Sequence, residues 1–130
     1  MSESVDTSSM DNSQPIVREE LIARCLGDEA FAVELLGLFA FQAPGLLEQI
    51  RSAAEEERWD DVCLASRALK GLAGNIAAYE LWSAVASYEE AILSGRTGLA
   101  VSELERLQGL IQNALVYANA IGRSMARRAA

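Results

Sequence analysis

From Phe31 to Met125 the apolar residues return every three or four positions, and Pro44 is the one proline in that span. This period lines side chains along one face of a helix, whereas a half-buried strand needs strict alternation, which no stretch shows. The second helix is expected over "EAFAVELLGLFAFQAPGLLEQIRSAAEEE", with Phe31, Leu35, Leu38, Phe39, Leu46, Ile50 and Ala53 facing inward. Pro44 lacks the N–H that would bond the Ala40 carbonyl, so a kink or brief break is expected there. The third helix starts near Trp59. The fourth carries Ala78, Leu81, Val85, Tyr88 and Ile92 in register. Gly95 and Gly98 bracket a turn, and a fifth helix carries Leu104, Leu107, Ile111, Ala114, Leu115, Ala118, Ile121 and Met125 inward. Ahead of these, Pro15 suits the opening turn of a short helix, Gly27 a stop and Asp28 the N-cap of the next helix. The expected fold class is all-α: an antiparallel up-down four-helix bundle with a short N-terminal flanking helix.

The 130 residues suit one domain. Residues 1–14 are polar, rich in Ser and acids, and are expected to form a disordered tail, with the bundle over 15–130. The net charge of −8 opposes binding to nucleic acid or to an anionic membrane surface. No apolar run reaches the ~20 residues that cross a bilayer, so no membrane contact is expected. The start of the chain is acidic, unlike a signal peptide. Cys25 and Cys63 form neither a disulfide framework nor a metal-ligand spacing, which fits a reducing, cytoplasmic setting. The chain contains no histidine, no cluster of metal ligands and no glycine-rich phosphate loop after a strand, so neither enzyme activity nor a cofactor or metal is expected.

The stretch "ASRALKGLAGNI" holds two glycines and two cations inside a helical pattern. With Leu69 at the centre of a helical wheel, Val62, Ala65, Ser66, Leu72, Ala73 and Ile76 fall within about 60° of it and form the core face. Cys63, Leu64, Arg67, Lys70 and Gly71 fall on the other half, joined by Gly74 if the helix lasts that far. A helical glycine costs ~1 kcal/mol relative to alanine. Close helix packing would explain such a glycine on the core face but not at Gly71. A flat floor beside two cations, edged by Leu64 and Cys63, suits the docking of an acidic partner. Two plainer readings stand beside it: Arg67 and Lys70 as a solvated charged face, and Gly74 as a helix C-cap. Asp60 and Asp61 fit as first-turn acids, and Glu89 and Glu90 as a surface pair. Cys63, one turn from Arg67, is expected to have a somewhat lowered thiol pKa.

"RALKGLAGNIAAYELWSAVASYEEA" resembles the signature of histidine phosphotransfer (HPt) domains, approximately His-x-Leu-Lys-Gly followed by a small-residue run, a Leu and a Leu-Glu pair. Leu69, Lys70, Gly71, Ala78, Leu81 and Glu89 fill matching positions, and the likeness extends over about residues 15–125. The resemblance implies a four-helix bundle that carries phosphoryl groups between receiver domains of two-component systems. In the family an exposed histidine accepts phosphate from a receiver aspartate, the lysine steadies the phosphoryl oxygens, and the glycine gives the receiver room. This sequence departs at the reactive position, where Arg67 stands in place of histidine. A guanidinium stays protonated and offers no neutral nitrogen lone pair for attack on an acyl phosphate. Smaller departures are Leu72 for a small or hydroxylated residue, Ala77 for a frequent glycine, and Ala84–Val85 for a larger-then-smaller pair.

The resemblance therefore implies a non-phosphorylatable HPt-like module with no catalytic residue. It would dock on a response-regulator receiver domain or a hybrid histidine kinase through Cys63, Leu64, Arg67, Lys70, Gly71 and Gly74. The module is expected to be a monomer. The alternative is a helical scaffold or oligomerisation unit, with Leu64, Leu110 and Trp82 on a self-association face.

Overall fold

The computed structural model describes residues 14–129. Residues 1–13, where nearly all of the expected tail falls, lie outside the described residues. Six helices follow one another: α1 (Arg18–Arg24), α2 (Glu29–Glu55), α3 (Trp59–Asn75), α4 (Tyr79–Leu93), α5 (Thr97–Ser102) and α6 (Leu104–Ala129). The protein is all-helical among the described residues.

The helices are set apart by compact C-terminal turns built in the same way. After α1, α2, α3 and α4, the second residue past the cap returns its N–H to the carbonyl five positions back, as in Gly27 N to Ile22 O, Arg58 N to Ala53 O, Ala78 N to Ala73 O and Arg96 N to Ala91 O. This pattern needs a left-handed residue just past the cap. Gly95 fills that place after α4 with φ +81°, but Leu26, Glu57 and Ala77 fill it elsewhere with φ between +56° and +59°. The frequent glycine that Ala77 replaces in the family signature is thus a backbone requirement, met here by alanine at some cost.

The core runs through the middle of the four long helices. Phe39 and Ile50 of α2, Leu69 of α3, Leu81 and Val85 of α4, and Leu107, Ile111 and Met125 of α6 are fully or nearly fully buried. Each such side chain contributes roughly 1.5–3 kcal/mol of burial. α2 packs along both α3 and α6, and α4 bridges α3 to α5 and α6. Ile16 and Leu21 are buried, and Val17 N donates to Ala77 O at 3.1 Å, which pins the N-terminal segment onto the α3–α4 turn.

Several expectations need correction. The first helix begins at Arg18, not at Pro15, and Val17 caps it without a side-chain bond. Asp28 does cap α2, accepting from Phe31 N at 3.0 Å. Pro44 does not break α2, which runs unbroken from Glu29 to Glu55. Pro44 is exposed, while Ala43 and Leu47 on the buried side are held in the core. Phe31 and Leu38 are exposed, and Leu36 and Ala43 take inward places, because the helix turns about 100° per residue and its apolar content exceeds the width of one buried face. α2 is also long and apolar enough, by length and composition, to cross a membrane, contrary to the expectation that no run would qualify. Gly98 lies inside the short helix α5, which the sequence pattern did not suggest.

Candidate functional site

The outer face of α3 meets the inner edge of α4 at one cluster of charge. Glu89 of α4 is 5% exposed, yet it is a carboxylate. Arg67 Nε donates to Glu89 Oε2 at 2.6 Å, and Lys70 Nζ donates to Oε1 at 3.0 Å. Arg67 and Lys70 lie three apart on α3, so both reach across to the same acid. Burial alone would raise the Glu89 pKa, but the hydrogen bonds and charges of Lys70 and Arg67 more than reverse this and hold it below the ordinary carboxylate value.

The cations differ in their setting. The Arg67 side chain is 58% exposed and that of Lys70 only 29%. Lys70 Nζ also sits 5.8 Å from the centre of the Trp82 ring, a cation–π distance. Gly71 is open: a Cβ there would meet nothing within 4 Å. Leu64 is exposed at the edge of this face.

Arg67, Lys70, Gly71 and Leu64 thus share an accessible face, as the sequence suggests. Cys63 and Gly74 depart from that expectation. Cys63 is buried at 7% exposure, because its position near the border of the wheel is covered by α4. Burial, and then the Glu89 charge, push its thiol pKa up rather than down, with Arg67 opposing. Gly74 is neither open floor nor C-cap. The helix continues to Asn75 with Ile76 as its cap, and a Cβ on residue 74 would stand 3.3 Å from Trp82 Cδ1. Of the proposed self-association residues, Leu64 and Trp82 are exposed, but Leu110 is partly buried against the core.

Glu89 is the residue that the sequence reading mistook for a surface acid. The signal was present in the register: position 89 is four beyond Val85 and three before Ile92, both inward. Glu90 behaves as expected, exposed and accepting from Ser94 Oγ at 3.1 Å. Asp60 and Asp61 sit in the first turn of α3, and Asp61 pairs with Arg58. Behind the cluster Tyr88 is buried, its hydroxyl without a partner, and burial pushes its pKa up to about 12. A cavity of about 570 Å³ between α4, α5 and α6 is lined in part by Tyr88 and includes none of Arg67, Lys70 and Glu89.

The family model described as Hpt domain matches residues 34–116, which is more than half of the chain and takes in the whole cluster. The chain belongs to the Hpt domain family. No curated protein and no solved structure gives a match. Hpt domains are phosphotransfer modules of two-component phosphorelays rather than enzymes in the ordinary sense, and they generally interact with receiver domains and kinases. Membership therefore implies involvement of this Hpt domain in two-component phosphorelay signalling. Within it, the chemistry of the cluster is ionic. It offers an oriented guanidinium and an ammonium for an anion, and no imidazole is present anywhere in the chain.

Proposed function

We propose that this Hpt domain is a non-phosphorylatable member of its family, with Arg67 at the phospho-acceptor position. It docks on a response-regulator receiver domain, alone or within a hybrid histidine kinase, and restrains phosphotransfer by competing with an active transfer protein. The observation that carries the reading is the exposed Arg67 guanidinium beside the open surface at Gly71, in a chain without histidine. A receiver active site is a cluster of acids around its phosphorylatable aspartate. A fixed planar cation pairs with such carboxylates but cannot attack a phosphoryl group, because it has no free lone pair.

The reading includes an up-down antiparallel arrangement of α2, α3, α4 and α6. Opposite ends of α2 and α6 pair in its support: Arg51 Nη2 donates to Gln108 Oε1 at 2.9 Å, and Arg128 Nη2 donates to Glu29 Oε2 at 2.7 Å. It also includes a monomeric, cytoplasmic protein that binds no nucleic acid, in keeping with the net charge of −8.

The test is titration of the full chain with receiver domains encoded in the same genome, followed by calorimetry of Arg67→Glu and Gly71→Gln. Docking through this face predicts saturable binding that both variants abolish while their helical circular dichroism stays intact. Receiver binding that survives both substitutions would overturn the assigned face. A stable phosphate gained from a phosphorylated receiver would overturn the non-transfer role.

A further inference from the structure

The cluster is lopsided in depth. Its acid, Glu89, lies beneath the surface at 5% exposure, while the Arg67 side chain above it is 58% exposed. A buried carboxylate needs a counter-charge, and here it has two. Lys70 alone has the means to remain. It is bonded to Oε1, placed against the Trp82 ring and more shielded than Arg67. Arg67 is held by its Nε only, and no hydrogen bond or ion pair engages its terminal nitrogens among the described residues. Its guanidinium can leave Glu89 without stranding that carboxylate, since Lys70 stays.

From this division of roles we propose that Glu89 is a resident intramolecular competitor at the docking face: it occupies Arg67 until an incoming oxyanion of the partner draws the guanidinium away, and Lys70 holds Glu89 in place. The inference rests on the receiver-docking reading and deepens it by naming how the site is regulated. The ligand class is an oxyanion on a protein surface, a carboxylate or acyl phosphate of the receiver. The Glu89 carboxylate shows the kind of group that the two cations accept. Loosening the Arg67–Glu89 bond opposes docking, so the self-paired form binds more weakly than its exposed cation would suggest. Docking then stays readily reversible, as a competitor in a relay requires.

Glu89→Gln keeps the volume of the side chain and removes its charge. The exposed ends of Arg67 and Lys70 can then turn to water, so the fold is expected to survive. Receiver affinity, measured by calorimetry, is expected to rise roughly tenfold, and the gain should vanish when Arg67→Gln is added. Inorganic phosphate serves as a second probe, followed at the Arg67 Nε–Hε resonance. It should bind more tightly to Glu89→Gln than to the natural chain. In the natural chain the nuclear Overhauser contacts between Arg67 Hε and the Glu89 side-chain protons should be lost as receiver saturates the protein, a readout that needs no substitution. Equal or weaker receiver and phosphate binding by Glu89→Gln, or an Arg67–Glu89 contact retained at saturation, would overturn the competitor role. If receivers bind neither protein but phosphate binding tightens in Glu89→Gln, the docking reading fails and the role of Glu89 stands. If receivers bind the natural chain and Glu89→Gln gains nothing, the reverse holds.

Discussion

Trp82 stands over Gly74: a Cβ on residue 74 would lie 3.3 Å from Trp82 Cδ1, so the absent side chain is what lets the indole approach α3 this closely. One turn earlier, Gly71 has no such neighbour within 4 Å. Alanine gains up to about 1 kcal/mol over glycine inside a helix. Gly71→Ala is therefore expected to stabilise the fold by about 0.5–1 kcal/mol in urea denaturation. Gly74→Ala should gain little or nothing, because Trp82 must shift and with it the ring beside Lys70. A larger gain at residue 74 than at residue 71 would contradict this account of the two glycines.

The left-handed residue closing α2 offers a second test. Glu57 is exposed and has φ +57°, a conformation that costs an L-residue roughly 1–2 kcal/mol. Glu57→Gly is expected to raise the unfolding free energy by about 0.5–1 kcal/mol, net of the extra chain entropy glycine adds to the unfolded state. Ala77→Gly should gain less, since Ala77 is fully buried and its methyl group would leave a small void. Thermal melts of the two variants side by side decide the order.

The buried carboxylate predicts non-additive energetics. Arg67→Ala leaves Glu89 with Lys70, and Lys70→Ala leaves it with Arg67, so each single change is expected to cost about 1 kcal/mol. The double change strands Glu89 at 5% exposure and is expected to cost about 3 kcal/mol or more. Glu89→Gln should abolish the excess. A double-mutant cycle by urea denaturation that comes out additive would show Glu89 reaching water by itself.

Acid should dissolve the same cluster. The folded Glu89 pKa lies below its ordinary 4.5, so its ionised form is favoured by folding. Its contribution to stability is fully present above pH 4.5 and is lost as the pH falls through the lower folded value. The acid limb of the stability profile should therefore be shallower for Glu89→Gln than for the natural chain. Identical limbs would mean that this carboxylate has no part in acid unfolding.

Both thiols should resist modification at neutral pH. Burial raises Cys25, with the Asp28 charge adding to it, and burial raises Cys63, with Glu89 adding to it. The thiolate is the reactive form, so a thiol reagent is expected to label the native protein far more slowly than the urea-unfolded chain. Rapid native labelling at Cys63 would mean that α4 does not cover it as described.

The sequence by itself determined the helical class and most of the core. The three- and four-residue period marks Leu69, Val85, Ile111 and Met125 as inward, and all four are buried. The placing of Arg67, Lys70 and Gly71 on one outer face of α3 follows from the same period, since a wheel needs only local geometry. Only the tertiary structure decided what that face meets. The register of α4 turns Glu89 inward, but its pairing with Arg67 and Lys70, the cover over Cys63 and the seat of Trp82 on Gly74 arise because α4 leans against α3, a contact between helices that the pattern of neither one encodes. The unbroken course of α2 through Pro44 is of the same kind: the missing hydrogen bond is a local fact, but the packing of Ala43 and Leu47 that outweighs it belongs to the assembled core.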